Sequence, residues 1–184
     1  MKSTVKSWVC TPLALAFLLT LILSPAALAQ KGGVEIGGDA GILEFDDELG
    51  GEQEFRGDFR AGYFFTDRLE LEGQYLHATS IFDLALTAYM VNGVYHFRSA
   101  DAGVVPYVLA GVGSADVEVT PFFLGPVISD NGTALQAALG VRFYVGDEHR
   151  GSWRLEVSAL NEDTFDEDST HLSLVGGFSW RFGG

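Results

Sequence analysis

The sequence is short of cysteine, lysine and long apolar runs, and each shortage removes a class of protein. Its one cysteine, Cys10, precedes the apolar core of the N-terminal segment and follows Ser7-Trp8-Val9, so it is not placed as the lipidated cysteine of a lipoprotein. No disulfide framework and no thiol chemistry remain for the rest of the chain. Beyond residue 29 no stretch stays apolar for the roughly 20 residues that a spanning helix requires. Past that point the nine cations are eight arginines and Lys31, against 25 carboxylates. This balance argues against nucleic acid as a partner, because phosphate backbones are held by clustered Lys and Arg. No linker, heptad pattern or low-complexity tract divides the chain.

The N-terminal segment has its own logic. Lys2 and Lys6 give it a positive start, residues 13–23 are apolar apart from Thr20, and Ala27-Leu28-Ala29 forms a small-x-small exit. Residues 1–29 therefore read as a cleaved secretory signal peptide, leaving residues 30–184 as one domain.

What that domain contains is alternation. Strands are expected at about 34–45, 53–65, 69–79, 83–97, 104–119, 133–145, 152–160 and 170–182, from period-two patterning with abundant Gly, aromatic and β-branched residues. The fold class is all-β: an eight-stranded antiparallel up-and-down barrel. The second strand sets Phe55, Phe59, Ala61, Tyr63 and Phe65 against Glu54, Arg56, Asp58 and Arg60. The fifth sets Val105, Tyr107, Leu109, Val117 and Val119 against Ser114, Asp116 and Glu118. The last three oppose Phe143, Trp153, Phe178 and Trp180 to Arg142, Tyr144, Arg154, Glu156 and Arg181 in the same way. A three-residue turn at Thr66-Asp67-Arg68 puts Gly62 opposite Glu72 and Arg60 opposite Gln74. That register keeps both faces uniform and makes Glu72 a diagonal neighbour of Arg60.

Which face is outside decides the kind of barrel. A soluble, lipocalin-like barrel would bury the aromatics and could hold an apolar ligand. The preference for Arg, whose planar fork suits enclosed carboxylates, and the aromatics bracketing apolar stretches favour the reverse: a transmembrane barrel with a polar interior. The residues expected to face lipid are Phe55, Phe59, Tyr63, Phe65, Tyr107, Phe143, Trp153, Phe178 and Trp180. The interior is expected to hold an ion-pair network of Glu54, Arg56, Asp58, Arg60, Glu70, Glu72, Asp116, Arg142, Arg154, Glu156 and Arg181. Eight strands enclose a space that side chains just fill, so the network plugs the lumen; the alternative is a narrow cation path along it.

In GYFFTDRLELEGQY, VNGVYHF, VPYVLAGVG, LGVRFYVG and the final FSWRF, the chain resembles the small eight-stranded outer-membrane β-barrel family, the OmpA-type and OmpX-like barrels of Gram-negative bacteria. The resemblance spans essentially all of residues 30–184. It implies a place in the bacterial outer membrane among lipid and lipopolysaccharide, and assembly by the barrel-assembly machinery through a terminal aromatic, here Phe182. It implies a structural or surface-interaction role without enzymatic activity.

With eight strands both mature termini are expected on the periplasmic side. Connections at 66–68, 99–103 and 146–151 then lie in the periplasm, and those at 46–52, 80–82, 120–132 and 161–169 outside the cell. A monomer without cofactor is expected. Arg56-Gly57-Asp58 matches an integrin tripeptide, but it sits mid-strand with both charges inward and reads as coincidence. His171 and Ser173 match the His-x-Ser of lipid A deacylases, an eight-stranded hydrolase family, yet both fall on the inner face, away from lipid. The acidic residues Asp46, Asp47, Asp166 and Asp168 offer oxygens of the kind Ca²⁺ prefers, but without EF-hand spacing they read first as a hydrated rim.

Overall fold

A computed structural model describes residues 33–44, 53–79, 84–119, 128–146, 148–164 and 167–183; residues 1–29, with the expected signal peptide, lie outside them. Eight strands, β1 (Val34–Glu44), β2 (Gln53–Phe64), β3 (Leu69–Thr79), β4 (Leu84–His96), β5 (Val104–Val119), β6 (Ile128–Val145), β7 (Gly151–Thr164) and β8 (Glu167–Phe182), follow one another around a closed antiparallel barrel. A 3₁₀ turn at Ala100–Ala102 joins β4 to β5. Among the described residues no helix is long and apolar enough to cross a membrane, which says nothing of a barrel that crosses with strands.

Closure is visible in the register. Starting at Glu118 and passing Ala85, Thr79, Phe55, Ile42, Leu174, Val157 and Leu139, the cross-strand partners return to β5 at Val108, ten residues below the start. A stagger of that size inclines the strands by about 35–45° to the barrel axis. The turn after β2 has the expected length. Phe65 donates its amide to the Leu69 carbonyl, and Gly62 faces Glu72 while Arg60 faces Gln74.

Most faces fall as expected. Phe55, Phe59, Tyr63, Phe65, Phe143, Trp153, Phe178, Trp180 and Phe182 point outward and are exposed, whereas Arg56, Arg60, Glu70, Glu72, Arg142, Arg154 and Glu156 point inward and are buried. A soluble barrel would require the opposite facing.

β5 is the exception, and its expected faces are reversed. Tyr107 is inward and only 1% exposed, with Leu109 and Val117 also buried, while Asp116 and Glu118 lie on the outward side. The reversal has a physical cause. The interior that β5 faces is apolar, with Val94, Tyr107, Leu109 and Ala138 in one buried cluster and Leu43, Leu76, Ala78, Leu86, Met90, Ala115, Val117 and Leu160 in another, so polarity does not mark the inner face of that strand.

The same cause moves three strand ends. β6 begins at Ile128 rather than 133, β7 continues to Thr164 rather than 160, and β8 starts at Glu167 rather than 170. Polar residues such as Asn131, Asn161 and Asp163, which read as loop, are paired strand positions. The 161–169 connection thereby shrinks to residues 165 and 166, no longer than the turns at the other end.

Candidate functional site

The lumen over the terminal half of the barrel holds the charged cluster. The period-two repeat of β2 places Arg56, Asp58 and Arg60 on one inward row, and β1, β3, β6 and β7 bring partners across to it. Arg60 is the hub. Its guanidinium lies 2.9 Å from Glu156, 3.0 Å from Glu72 and 3.2 Å from Asp58, and its Nε lies 2.5 Å from Asp39. Arg142 binds Glu35 at 2.5 Å and Glu70 at 2.8 Å, and Arg154 binds Glu72 at 2.8 Å. Arg56 grips both oxygens of Asp58, at 2.8 and 3.0 Å, and also donates to Ser158 and Ser173.

Such forked, charge-assisted bonds are shorter and stronger than neutral ones. Each guanidinium and carboxylate here is nearly fully buried, so each depends on the others for what water would have supplied. Neutral groups extend the network: Tyr107 donates to Glu156 at 2.7 Å, Gln74 to Asp58 at 3.2 Å, and Asn92 to Gln74 at 2.8 Å. His96 sits 3.0 Å from Glu70. Cations also lie over rings, with Arg181 3.7 Å from the Phe64 centroid and Arg154 5.2 Å from that of Tyr107, a favourable placement once water is excluded. The gap left beside Glu35, Asp39, Arg60, Glu72 and Arg154 is about 10 Å³, the scale of a single water.

Glycine makes room for this crowd. The Tyr107 ring lies directly over Gly140, where a β-carbon would overlap it. Gly140→Val is therefore expected to cost about 1–3 kcal/mol through overpacking, read as a lower urea midpoint with an unchanged m-value.

Glu35, Asp39, His96, Gln74, Asn92 and Tyr107 are members of the cluster that the sequence reading did not include. In β1 the glycines at 37, 38 and 41 blur the alternation, yet Glu35 and Asp39 stand four residues apart, a period-two signal that was available. Asp116, expected inside, is outside. Glu54 is inward and buried, but away from the cluster, and its Oε2 has no hydrogen-bond partner among the described residues. Arg181 is at the terminal mouth, donating to the Tyr144 hydroxyl at 3.1 Å.

The remaining motifs are placed as follows. Arg56 and Asp58 of the integrin-like tripeptide are buried in the lumen. His171 and Ser173 are inward, His171 3.4 Å from Glu162 and Ser173 hydrogen-bonded to Ser158 at 2.7 Å. Asp46, Asp47 and Asp166 lie outside the described residues, and Asp168 pairs on the ladder with Asp163. Among the described residues no group of His, Cys, Asp or Glu is arranged to hold a metal ion.

Comparison with known proteins agrees with this architecture. No curated protein matches the sequence. Among solved structures, Neisserial surface protein A (NspA) superposes with a TM-score of 0.71 at 18% identity, over 83% of this chain and 100% of that one. The N-terminal β-barrel domain of Pseudomonas aeruginosa OprF gives 0.55 at 20% identity, over 83% and 100%. Ail of Yersinia pestis, solved in complex with the heparin analogue sucrose octasulfate, gives 0.57 at 15% identity, over 83% and 99%. At these identities the likeness is one of fold. The family model described as outer membrane protein beta-barrel domain matches residues 13–182, and with nearly the whole chain covered, the protein belongs to that family of outer-membrane barrels.

Proposed function

We propose that the protein is a monomeric, non-enzymatic barrel of the bacterial outer membrane whose lumen is plugged by the Arg60-centred network, serving a structural or surface-interaction role. The observation that carries this reading is the burial of Arg56, Arg60, Arg142 and Arg154 among carboxylates, with a gap beside Arg60 and Arg154 no larger than about one water. An ion crossing that layer would have to break several charge-assisted bonds at once. Planar-bilayer recordings of the purified barrel are expected to show no steady conductance, and a stable open level would replace the plug with a cation path.

The outward apolar belt meets lipid and the acyl chains of lipopolysaccharide, and Phe182 is the residue offered to the assembly machinery. Both mature termini lie in the periplasm, with the connections after β1, β3, β5 and β7 outside the cell. Surface contact then falls to that outer end.

The outer end differs in charge from what one relative's ligand requires. The Ail structure holds a sulfated heparin analogue, a polyanion. In this chain the outer end carries Glu44, Asp116, Glu118 and Asp163, and the connecting sequences 45–52, 80–83, 120–127 and 165–166 contain no Lys or Arg. Repulsion of like charge argues against a polyanionic partner here, so that relative's ligand class is not carried over.

A further inference from the structure

The arginines of the lumen do not balance its carboxylates. Among the described residues eight inward carboxyl groups are buried, while the guanidiniums beside them are those of Arg56, Arg60, Arg142 and Arg154, with Arg181 at the mouth. Eight against five leaves an excess of three negative charges. The rest of the chain does not make up the difference. Of the other cations beyond residue 29, Arg68, Arg98 and Arg150 are exposed in the turns and Lys31 precedes β1, while the connecting sequences at the opposite end contain no Lys or Arg.

The excess falls on three groups. Asp39, Asp58, Glu72 and Glu156 each meet an arginine at 2.5 to 2.9 Å, and Glu35 holds Arg142 at 2.5 Å. Glu70 has only a share of that same Arg142, and its Oε1 has no hydrogen-bond partner among the described residues. Glu54 and Glu162 have no arginine within ion-pairing distance, and the Oε2 of each lacks a partner among the described residues. Two of these three groups stand against the two buried histidines of the lumen. His96 Nε2 of β4 lies 3.0 Å from Glu70, and His171 Nε2 of β8 lies 3.4 Å from Glu162. The other charged groups around Glu70 are Arg154 of β7, Arg181 of β8 and Glu72 of its own strand. Beside Glu54 stands Arg56, two residues along the same inward face, but its fork is turned to Asp58.

An enclosed carboxylate without a counter-charge is so costly that such groups are neutralised instead. Among the described residues no group of His, Cys, Asp or Glu is arranged to hold a metal ion that could supply the charge. We propose that the folded lumen is a proton-binding site: three protons, on the Glu70–His96 pair, the Glu162–His171 pair and Glu54, complete its charge balance and are taken up as the barrel closes. Each proton comes from water and stays on a carboxyl oxygen or is shared with the facing imidazole nitrogen. The proposal rests on the plugged-lumen reading, because only a dehydrated interior has to be neutral.

Proton counting tests it directly. The purified protein is diluted from urea into detergent micelles in weakly buffered solution at about pH 7.5, where an unfolded chain has lost nearly all its carboxyl protons and most of its imidazole protons. Folding is expected to withdraw about three protons per molecule, read with an indicator dye, one for each excess carboxylate. Glu54→Gln, Glu70→Gln and Glu162→Gln imitate the neutral group, so each should still fold and each should lower the uptake by about one. The sign of the pH dependence follows. Since the folded form binds the extra protons, stability falls as pH rises from about 6 to about 8, with the folding constant losing about tenfold per pH unit for each proton held. The triple Gln variant should flatten that slope.

Uptake below about one proton in the wild type, or a urea midpoint indifferent to pH, would overturn the proposal. A single Gln variant unable to fold would show that the group's negative charge is needed and overturn its assignment. Planar-bilayer recordings separate this failure from that of the plug. A silent barrel that takes up no protons keeps the plug and loses the proton site, whereas a conducting barrel loses both.

Discussion

Replacing Arg60 with leucine is expected to destabilise the barrel by about 3–5 kcal/mol, the range for removing one partner from a buried ionic cluster. Four carboxylates, Asp39, Asp58, Glu72 and Glu156, lie within ion-pairing distance of that one guanidinium. None can turn to water, because each is at most 9% exposed. The measurement is urea unfolding in detergent micelles, followed by the fluorescence of Trp153 and Trp180. Arg60→Lys is the informative companion. It keeps the charge but loses the fork that reaches several oxygens together, so it should fall between the wild type and Arg60→Leu. A loss below about 1 kcal/mol for Arg60→Leu, typical of exposed pairs, would mean that the cluster is hydrated.

Leu139→Arg is the second large effect. Leu139 points outward, is 67% exposed, and faces Val108 and Val157 on its neighbours, near the middle of the apolar belt. An arginine at the midplane of a transmembrane barrel costs about 2–4 kcal/mol, whereas near the interface the cost falls to about 0–1 kcal/mol. Thr133→Arg, three outward positions along the same strand and beyond the belt, should therefore be nearly neutral. Folding yields into vesicles and unfolding midpoints of the two variants measure the difference. Equal costs at the two positions would mean that β6 does not cross from lipid to water where its composition changes.

How much of this was legible in the sequence depended on the strand. β2, β7 and β8 alternate apolar outward residues with mostly polar or charged inward ones, so their faces follow from alternation, and the register of the β2–β3 turn brings Glu72 to Arg60. β1 is ambiguous because glycines interrupt it, and that hides the inward facing of Glu35 and Asp39, although both bind arginines. β5 misled for a different reason. Its inward residues Val105, Tyr107, Leu109, Ala115 and Val117 are all apolar or aromatic, so a rule of polar in and apolar out turns the strand inside out. Tyr107 sits inside because its hydroxyl reaches Glu156 and Gly140 leaves space for its ring, a long-range fit that no local pattern encodes. The ends of β6, β7 and β8 read as loop because outward polar residues such as Asn131, Asn161 and Asp163 resemble loop residues.

The lumen pairs also have a consequence for how the molecule is made. Arg142 meets Glu35 across 107 residues of sequence, Arg56 meets Ser173 across 117, and Arg60 meets Glu156 across 96. None of these unions exists in a partial sheet of the first four or five strands. Until β8 zips onto β1, Arg56 and Arg60 lack the partners that β7 and β8 supply, and the growing ribbon cannot lie flat in lipid with that charged face exposed. Most of the contacts that hold the finished molecule are distant in sequence, which slows folding because chain entropy is lost before they form. Dehydration of the charges and sealing of the seam thus become one event, and a barrel left ajar by a single strand would retain little of its strength.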